Sequence, residues 1–194
     1  MNKLDGFIAY LSGPIEAMPC HGAKWRKEFI YNTWYKKKIN IEFIDPTDKG
    51  DKEFEEIGDE RKKIKHFKES NQYDKVRDFI KKVRRFDLRA IDKCDFVIAA
   101  IDKNIPTVGT YDEVILAERQ NKPVLGIING GPNNCPDWLY GSIKPKEMFF
   151  DMEECLDYLY QVNSGKISMD NRWLKIETKK RDYNITKEII HGTS

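Results

Sequence analysis

Residues 96 to 101 read Phe96-Val97-Ile98-Ala99-Ala100-Ile101, the most apolar run in the chain. The run does not alternate between apolar and polar residues, as a strand with one wet face would. It is expected to be covered on both faces and to lie centrally in a parallel sheet. Working outward, a loop at 102–109 leads to a helix from Thr110 to about Gln120, and Pro123 to Ile128 form the next strand. On the other side a helical period begins near Tyr73, with Val76, Ile80, Val83 and Ile91 on one stripe. The member missing from that series is Asp87, a carboxylate where a core residue is expected. Earlier still, Phe7 to Leu11 form a strand ending at Ser12-Gly13-Pro14, and Trp25, Phe29, Ile30 and Trp34 mark a helix over 23–35. Ile39 to Ile44 alternate toward an Asp45-Pro46 stop. Past a Gly-, Pro- and Asn-rich loop at 129–146, Met148 to Phe150 make a last short strand and 152–162 a closing helix. Strand and helix alternate throughout, so the fold class is α/β: a doubly wound parallel sheet of about five strands with right-handed crossovers. Ligands of such a sheet bind beyond the carboxyl ends of its strands.

The length, 194 residues with 40% hydrophobic and 12% aromatic content, suits one α/β domain over 1–165. Within it, 47–71 is rich in Asp, Glu and Lys and reads as a charged insertion on the surface with a short helix. A C-terminal extension covers 166–194, where Trp173 to Glu177 could form an edge strand and the aromatic residues would suit either an interface or packing on the chain's own sheet. Lys and Arg number 34 against 32 Asp and Glu, a formal charge of +2, which argues against general attraction to nucleic acid or anionic membrane. The basic cluster Lys75, Arg77, Lys81, Lys82, Arg84, Arg85 and Arg89 is read as the solvated face of its helix. No apolar run reaches the roughly 18 to 20 residues of a membrane span, and the N-terminus lacks a signal-peptide core, so a soluble, cytoplasmic protein is expected. Cys20, Cys94, Cys135 and Cys155, like His21, His66 and His191, are scattered. They read as reduced thiols and lone imidazoles, with no metal site and no Ser-His-Asp triad.

Three features converge at the carboxyl end of the sheet: Tyr10-Leu11-Ser12-Gly13-Pro14, Asp87 on its helix, and Thr107-Val108-Gly109-Thr110-Tyr111-Asp112-Glu113 after the central strand. Gly109 allows close backbone approach, and the helix N-terminus behind it offers N–H groups to an anion or a sugar hydroxyl. Glu113 in the first turn would be kept ionised by the helix dipole, which suits a carboxylate nucleophile. Thr110-x-x-Glu113 also fits a capping box, and the spacing leaves both readings open. Tyr10 could equally be a core aromatic whose hydroxyl reaches the rim, and Asp87 a helix residue satisfied locally or exposed after a kink. Lys24-Trp25-Arg26 could place Arg26 near a phosphate or base, but the plain reading is preferred, in which Trp25 packs and Arg26 is solvated.

In order and spacing, Ala9-Tyr10-Leu11-Ser12-Gly13-Pro14, Asp87-Leu88-x-x-Ile91-x-x-x-Asp95, Gly109-Thr110-x-x-Glu113-x-x-x-Ala117 and Asn121-Lys122-Pro123-Val124 together resemble the nucleoside 2-deoxyribosyltransferase family over 7–16 and 84–128. The resemblance implies a flavodoxin-like domain, without cofactor, that cleaves the N-glycosidic bond of a nucleoside or nucleotide. On this resemblance Glu113 is the nucleophile, Asp87 the carboxylate assisting at the base and Tyr10 the residue steadying the nucleophile, with Ser12, Gly13, Thr107, Gly109 and Thr110 lining the substrate. Where transferases of the family place a second Asp, this chain has Thr107. A hydroxyl there is more similar to the related 2'-deoxynucleoside 5'-phosphate N-hydrolases and cytidylate hydrolases, in which a Ser helps bind the 5'-phosphate. The resemblance also implies a homo-oligomer with shared active sites, in which the loop from Gly130 to Ser142 reaches a neighbour; Asn133, Asn134 and Ser142 are its polar candidates. A non-catalytic nucleotide-binding module on the same fold is the rival reading.

Overall fold

The computed structural model describes residues 2–15, 22–48, 57–105 and 107–176, with the side chains of 57–61 left undescribed. Its five strands are β1 (Phe7–Ser12), β2 (Ile41–Ile44), β3 (Phe96–Ile101), β4 (Val124–Ile128) and β5 (Met148–Phe149). They form one sheet in the order β2-β1-β3-β4-β5, and every neighbouring pair is parallel. The Phe96–Ile101 run is the middle strand, which explains its unbroken apolarity: helices cover both of its faces.

On one face lie α1 (Ala23–Tyr31), continued by a π-helical turn over Asn32–Lys36, and α5 (Met152–Ser164). Phe29 of α1 and Cys155, Leu156, Leu159 and Val162 of α5 pack there against Ala9, Leu11 and Ile98. The opposite face carries α3 (Tyr73–Lys93) and α4 (Val108–Arg119), whose Ala90, Ile91, Val114 and Ala117 meet Ile8, Tyr10, Val97 and Ala99. Successive residues of β1 therefore serve opposite cores, and Tyr10 and Ser12, two apart, share the face of α3 and α4. Strand order reverses between β1 and β3: the chain leaves β1 toward β2 and leaves β3 toward β4. The mouth of such an order lies over that switch point.

Several expectations are corrected. The segment expected as a charged excursion with a short helix contains α2 (Ile57–Glu69), 13 residues long; 49–56 lie outside the described residues. Along α3 the expected stripe is only partly buried: Ile91 is enclosed, but Val76 and Val83 are half-buried and Ile80 is exposed. The cause is that the first half of α3 lies against α2, and only the half from Phe86 onward settles on the sheet. Trp173 and its neighbours form no strand; Trp173 instead packs at 6.4 Å from Phe7 and 5.2 Å from Phe96, ring centre to ring centre. Asp95 fastens this segment by accepting the N–H of Ile8 at 2.7 Å and that of Ile176 at 2.5 Å. Cys94, Cys135 and Cys155 are buried free thiols, while Cys20, His21, Glu177 and His191 lie outside the described residues. Among the described residues no helix is long and apolar enough to cross a membrane.

Candidate active site

The helix after β3 begins two residues earlier than its sequence suggests. Its N-cap is Thr107, so Val108, Gly109 and Thr110 form the first turn and Glu113 stands in the second. Thr110 is therefore no cap, and the Thr110-x-x-Glu113 box does not form. The Glu113 side chain turns into the sheet instead, where the Tyr10 hydroxyl donates to Oε1 at 3.0 Å and the Ser12 hydroxyl donates to Oε2. One oxygen each is taken by two residues of β1 more than a hundred positions away in sequence. All three groups are buried, Tyr10 and Ser12 completely.

Burial dominates the electrostatics. It pushes the Glu113 carboxyl from an ordinary 4.5 up to about 7, and the nearby charge of Asp87 pushes the same way. The two donated hydrogen bonds and the more distant Arg26 oppose this without overcoming it. The expectation that the helix dipole keeps Glu113 ionised is thus corrected: in the second turn, out of water, desolvation outweighs the dipole. Tyr10 is raised well above 10 by burial and then by the charges of Glu113 and Asp87, so its hydroxyl remains a donor. Asp87 is half-buried on α3 and near enough to act electrostatically on Glu113, Tyr10 and Arg26. The structure thus gathers Tyr10, Ser12, Asp87 and Glu113 about one point.

Thr107 is buried, and its hydroxyl has no hydrogen-bond partner among the described residues. It lies where α4 presents its N-terminal N–H groups. Gly109 is exposed with open space where a Cβ would stand, so no neighbour among the described residues requires a glycine there. Gly13 belongs to the opposite side of β1, where a Cβ would come within 2.9 Å of Trp25 and 3.2 Å of the Ala100 Cβ. Of the loop candidates, Asn134 bonds to Lys103 and the Asn129 carbonyl, Asn133 is exposed and Ser142 is half-buried. Lys75, Arg77, Lys81, Lys82, Arg85 and Arg89 are exposed, and Arg84 pairs with Asp112 at 2.8 Å. Among the described residues no group of three or more His, Cys, Asp or Glu side chains could hold a metal ion.

Arg26, read from sequence as solvated, is fully buried beneath the turn after β1. Its guanidinium donates to the carbonyls of Leu11 (3.1 Å), Gly13 (2.9 Å) and Gly22 (3.1 Å). It lies 3.6 Å from Asp45 and stacks on Trp25. The turn's outward carbonyls create a site for a buried cation that residue spacing does not reveal; Arg26 four residues after Gly22, with Asp45-Pro46 closing the next strand, is the trace it leaves.

No protein-family model matches the sequence, and no curated protein matches it. Among solved structures the chain is similar to the CMP N-glycosidase BcmB of Clostridium botulinum, with a TM-score of 0.41 and 17% identity over 78% of this chain and 96% of that one.

Proposed function

We propose that this chain cleaves the N-glycosidic bond of a (deoxy)nucleoside or its 5'-monophosphate. The observation that carries the reading is the Glu113 carboxylate, desolvated at the β1/β3 switch point and held through both oxygens by the hydroxyls of Tyr10 and Ser12. The resemblance of the surrounding motifs to nucleoside deoxyribosyltransferases supplies the substrate class. In this reading Glu113 attacks the anomeric carbon. The C1'–N bond breaks with its electron pair passing to the base, which takes a proton from Asp87 or from water. Water, or a second base in a transferase, then attacks the anomeric carbon of the glycosyl ester, passing its proton to the Asp87 carboxylate or to solvent, and the C1'–O bond breaks to release Glu113 as the carboxylate. Tyr10 and Ser12 fix which lone pair faces the sugar, and the cationic character of the transition state favours the ionised carboxylate in a dry site.

Within this reading Thr107 favours a 5'-monophosphate hydrolase. A buried hydroxyl with no partner among the described residues, at the N-terminus of α4, is chemically suited to a phosphate oxygen. A homo-oligomer is part of the proposal, supported by the exposed Trp138 and Tyr140 of the loop between β4 and β5.

The test is chromatographic detection of free base from a panel of ribo- and deoxynucleosides and their monophosphates, with and without an acceptor base, for wild type and Glu113→Ala. Base release abolished in the variant supports the reading, and the panel identifies the phosphate requirement and the acceptor. Thermal stabilisation by these ligands with no base release from any of them would overturn it in favour of a binding module.

A further inference from the structure

We infer that Arg26 is the positioning residue of this site, clamping the turn that carries Ser12, the hydroxyl partner of Glu113, and fixing a buried positive charge beneath that turn. The inference rests on the reading of Glu113 as nucleophile. Its first support is geometric. The carbonyls that Arg26 binds through Nε and Nη2 belong to Leu11 and Gly13, the two residues flanking Ser12. With both neighbours tied to one planar guanidinium, the Ser12 hydroxyl has little freedom to turn away from Glu113. The third bond, to Gly22 O, anchors the same group to the start of α1, and Trp25 closes one face of the guanidinium with its ring centre 4.7 Å from Cζ.

The second support is the cost of placing the cation there. A fully buried guanidinium needs compensation, and Asp45 beyond β2 supplies the nearby opposite charge. That carboxylate is itself shared with the Thr47 N–H at 2.8 Å and its hydroxyl at 2.7 Å. A neutral side chain of similar shape could fill the space more cheaply, but it could not oppose Asp87. Glu113 accepts from Tyr10 and Ser12 of β1 and feels the charges of Asp87 on α3 and Arg26 on α1, with Asp45 in turn beside Arg26. Of these, Arg26 is the cation, and it favours the ionised forms of both Glu113 and Tyr10.

A merely structural Arg26 and a positioning Arg26 differ in what happens to the protonation of Glu113. The full chain is labelled with ¹³C at the Glu side-chain carboxyls, and the Glu113 signal is identified by its loss in Glu113→Gln. Its titration midpoint is followed in wild type, Asp45→Asn, Arg26→Gln and Arg26→Lys. Asp45→Asn retains the acceptor for Thr47 and leaves Arg26 less neutralised, so the midpoint falls by ~0.5 pH unit or more. Arg26→Gln raises it by ~0.5 unit or more. Arg26→Lys keeps the midpoint near wild type, because the charge remains, and lowers kcat/KM for base release about tenfold, because the fork is lost. If Arg26→Gln does not fold, the other two variants still decide. A midpoint unmoved in Asp45→Asn, or displaced upward in it, overturns the inference. Opposed shifts in a protein that releases no base from any panel member support the placement of Arg26 and overturn the glycosidase reading instead.

Discussion

Glu113 differs from an ordinary helix glutamate in where its proton sits. With its carboxyl lifted to about 7 by burial and Asp87, Glu113 in the free protein ionises only as pH rises through neutrality, and under the proposed reading the nucleophile forms over that same range. The expected kcat/KM for base release therefore climbs with pH and levels off above about 7, and a pH–rate profile checks it. Tyr10→Phe removes a hydrogen bond that favours the ionised form. It should lower kcat/KM ~10- to 100-fold and move the rising limb to higher pH, whereas a tyrosine serving only as core filler would leave the limb in place. That Glu113, Tyr10 and Asp87 come together was legible in the sequence, from the placement of their segments at one end of the sheet. The protonation of Glu113 was not, because it depends on how much water the fold removes.

Helix α4 shows why spacing alone cannot assign a role. Two segments of this chain share a pattern of capping residue, two others and Glu. At Asp151-x-x-Glu154 the pattern is a cap: Asp151 accepts from the Glu154 N–H at 2.9 Å while Glu154 accepts from the Phe150 N–H at 2.8 Å. At Thr110-x-x-Glu113 it is not, since the helix begins at Val108 and Glu113 faces β1. Both helices pack on the sheet, but Glu154 is exposed at the first turn of α5, where local partners decide, and Glu113 is buried against β1, where distant ones do. Thr107 is the N-cap of α4 yet makes no capping bond through its side chain. Thr107→Ala should thus spare the ~1 kcal/mol that losing a cap commonly costs and leave Tm nearly unchanged. In the monophosphate reading it should raise KM for the 5'-monophosphate about tenfold and leave the nucleoside's KM unaltered. Steady-state kinetics on both substrates, alongside a thermal melt, check the pair of outcomes.

For the molecule as a whole, the site is a source of instability. The unfolded chain releases the Glu113 proton near 4.5 and the folded chain near 7. The contribution of this group to stability is complete below about 4.5 and is lost as pH rises through 7, a loss of about 3 kcal/mol. Glu113→Gln, which mimics the protonated acid, should melt with wild type near pH 4.5 and several degrees above it at pH 8. At the opposite end of the sheet the C-terminal segment closes the core, and Trp173→Ala should cost about 3 kcal/mol or more and lower Tm by about 10 °C. Thermal denaturation at fixed pH reads both. The aromatic residues of the extension had two sequence readings, interface or internal packing. For Trp173 the contacts with Phe7 and Phe96 decide for packing.

By itself the sequence determined the α/β alternation, the central place of Phe96–Ile101 and the meeting of the β1 exit, Asp87 and the segment at 107–113 at one end of the sheet. These follow from apolar periodicity, turn residues and the handedness of parallel crossovers, all of which are short-range or general. Only the tertiary structure decided that Glu113 bonds to Tyr10 and Ser12 rather than capping its own helix, and that Arg26 is enclosed rather than solvated. Hydrogen bonds between residues about a hundred positions apart, and the loss of water around them, are properties of the assembled layers that no local spacing records.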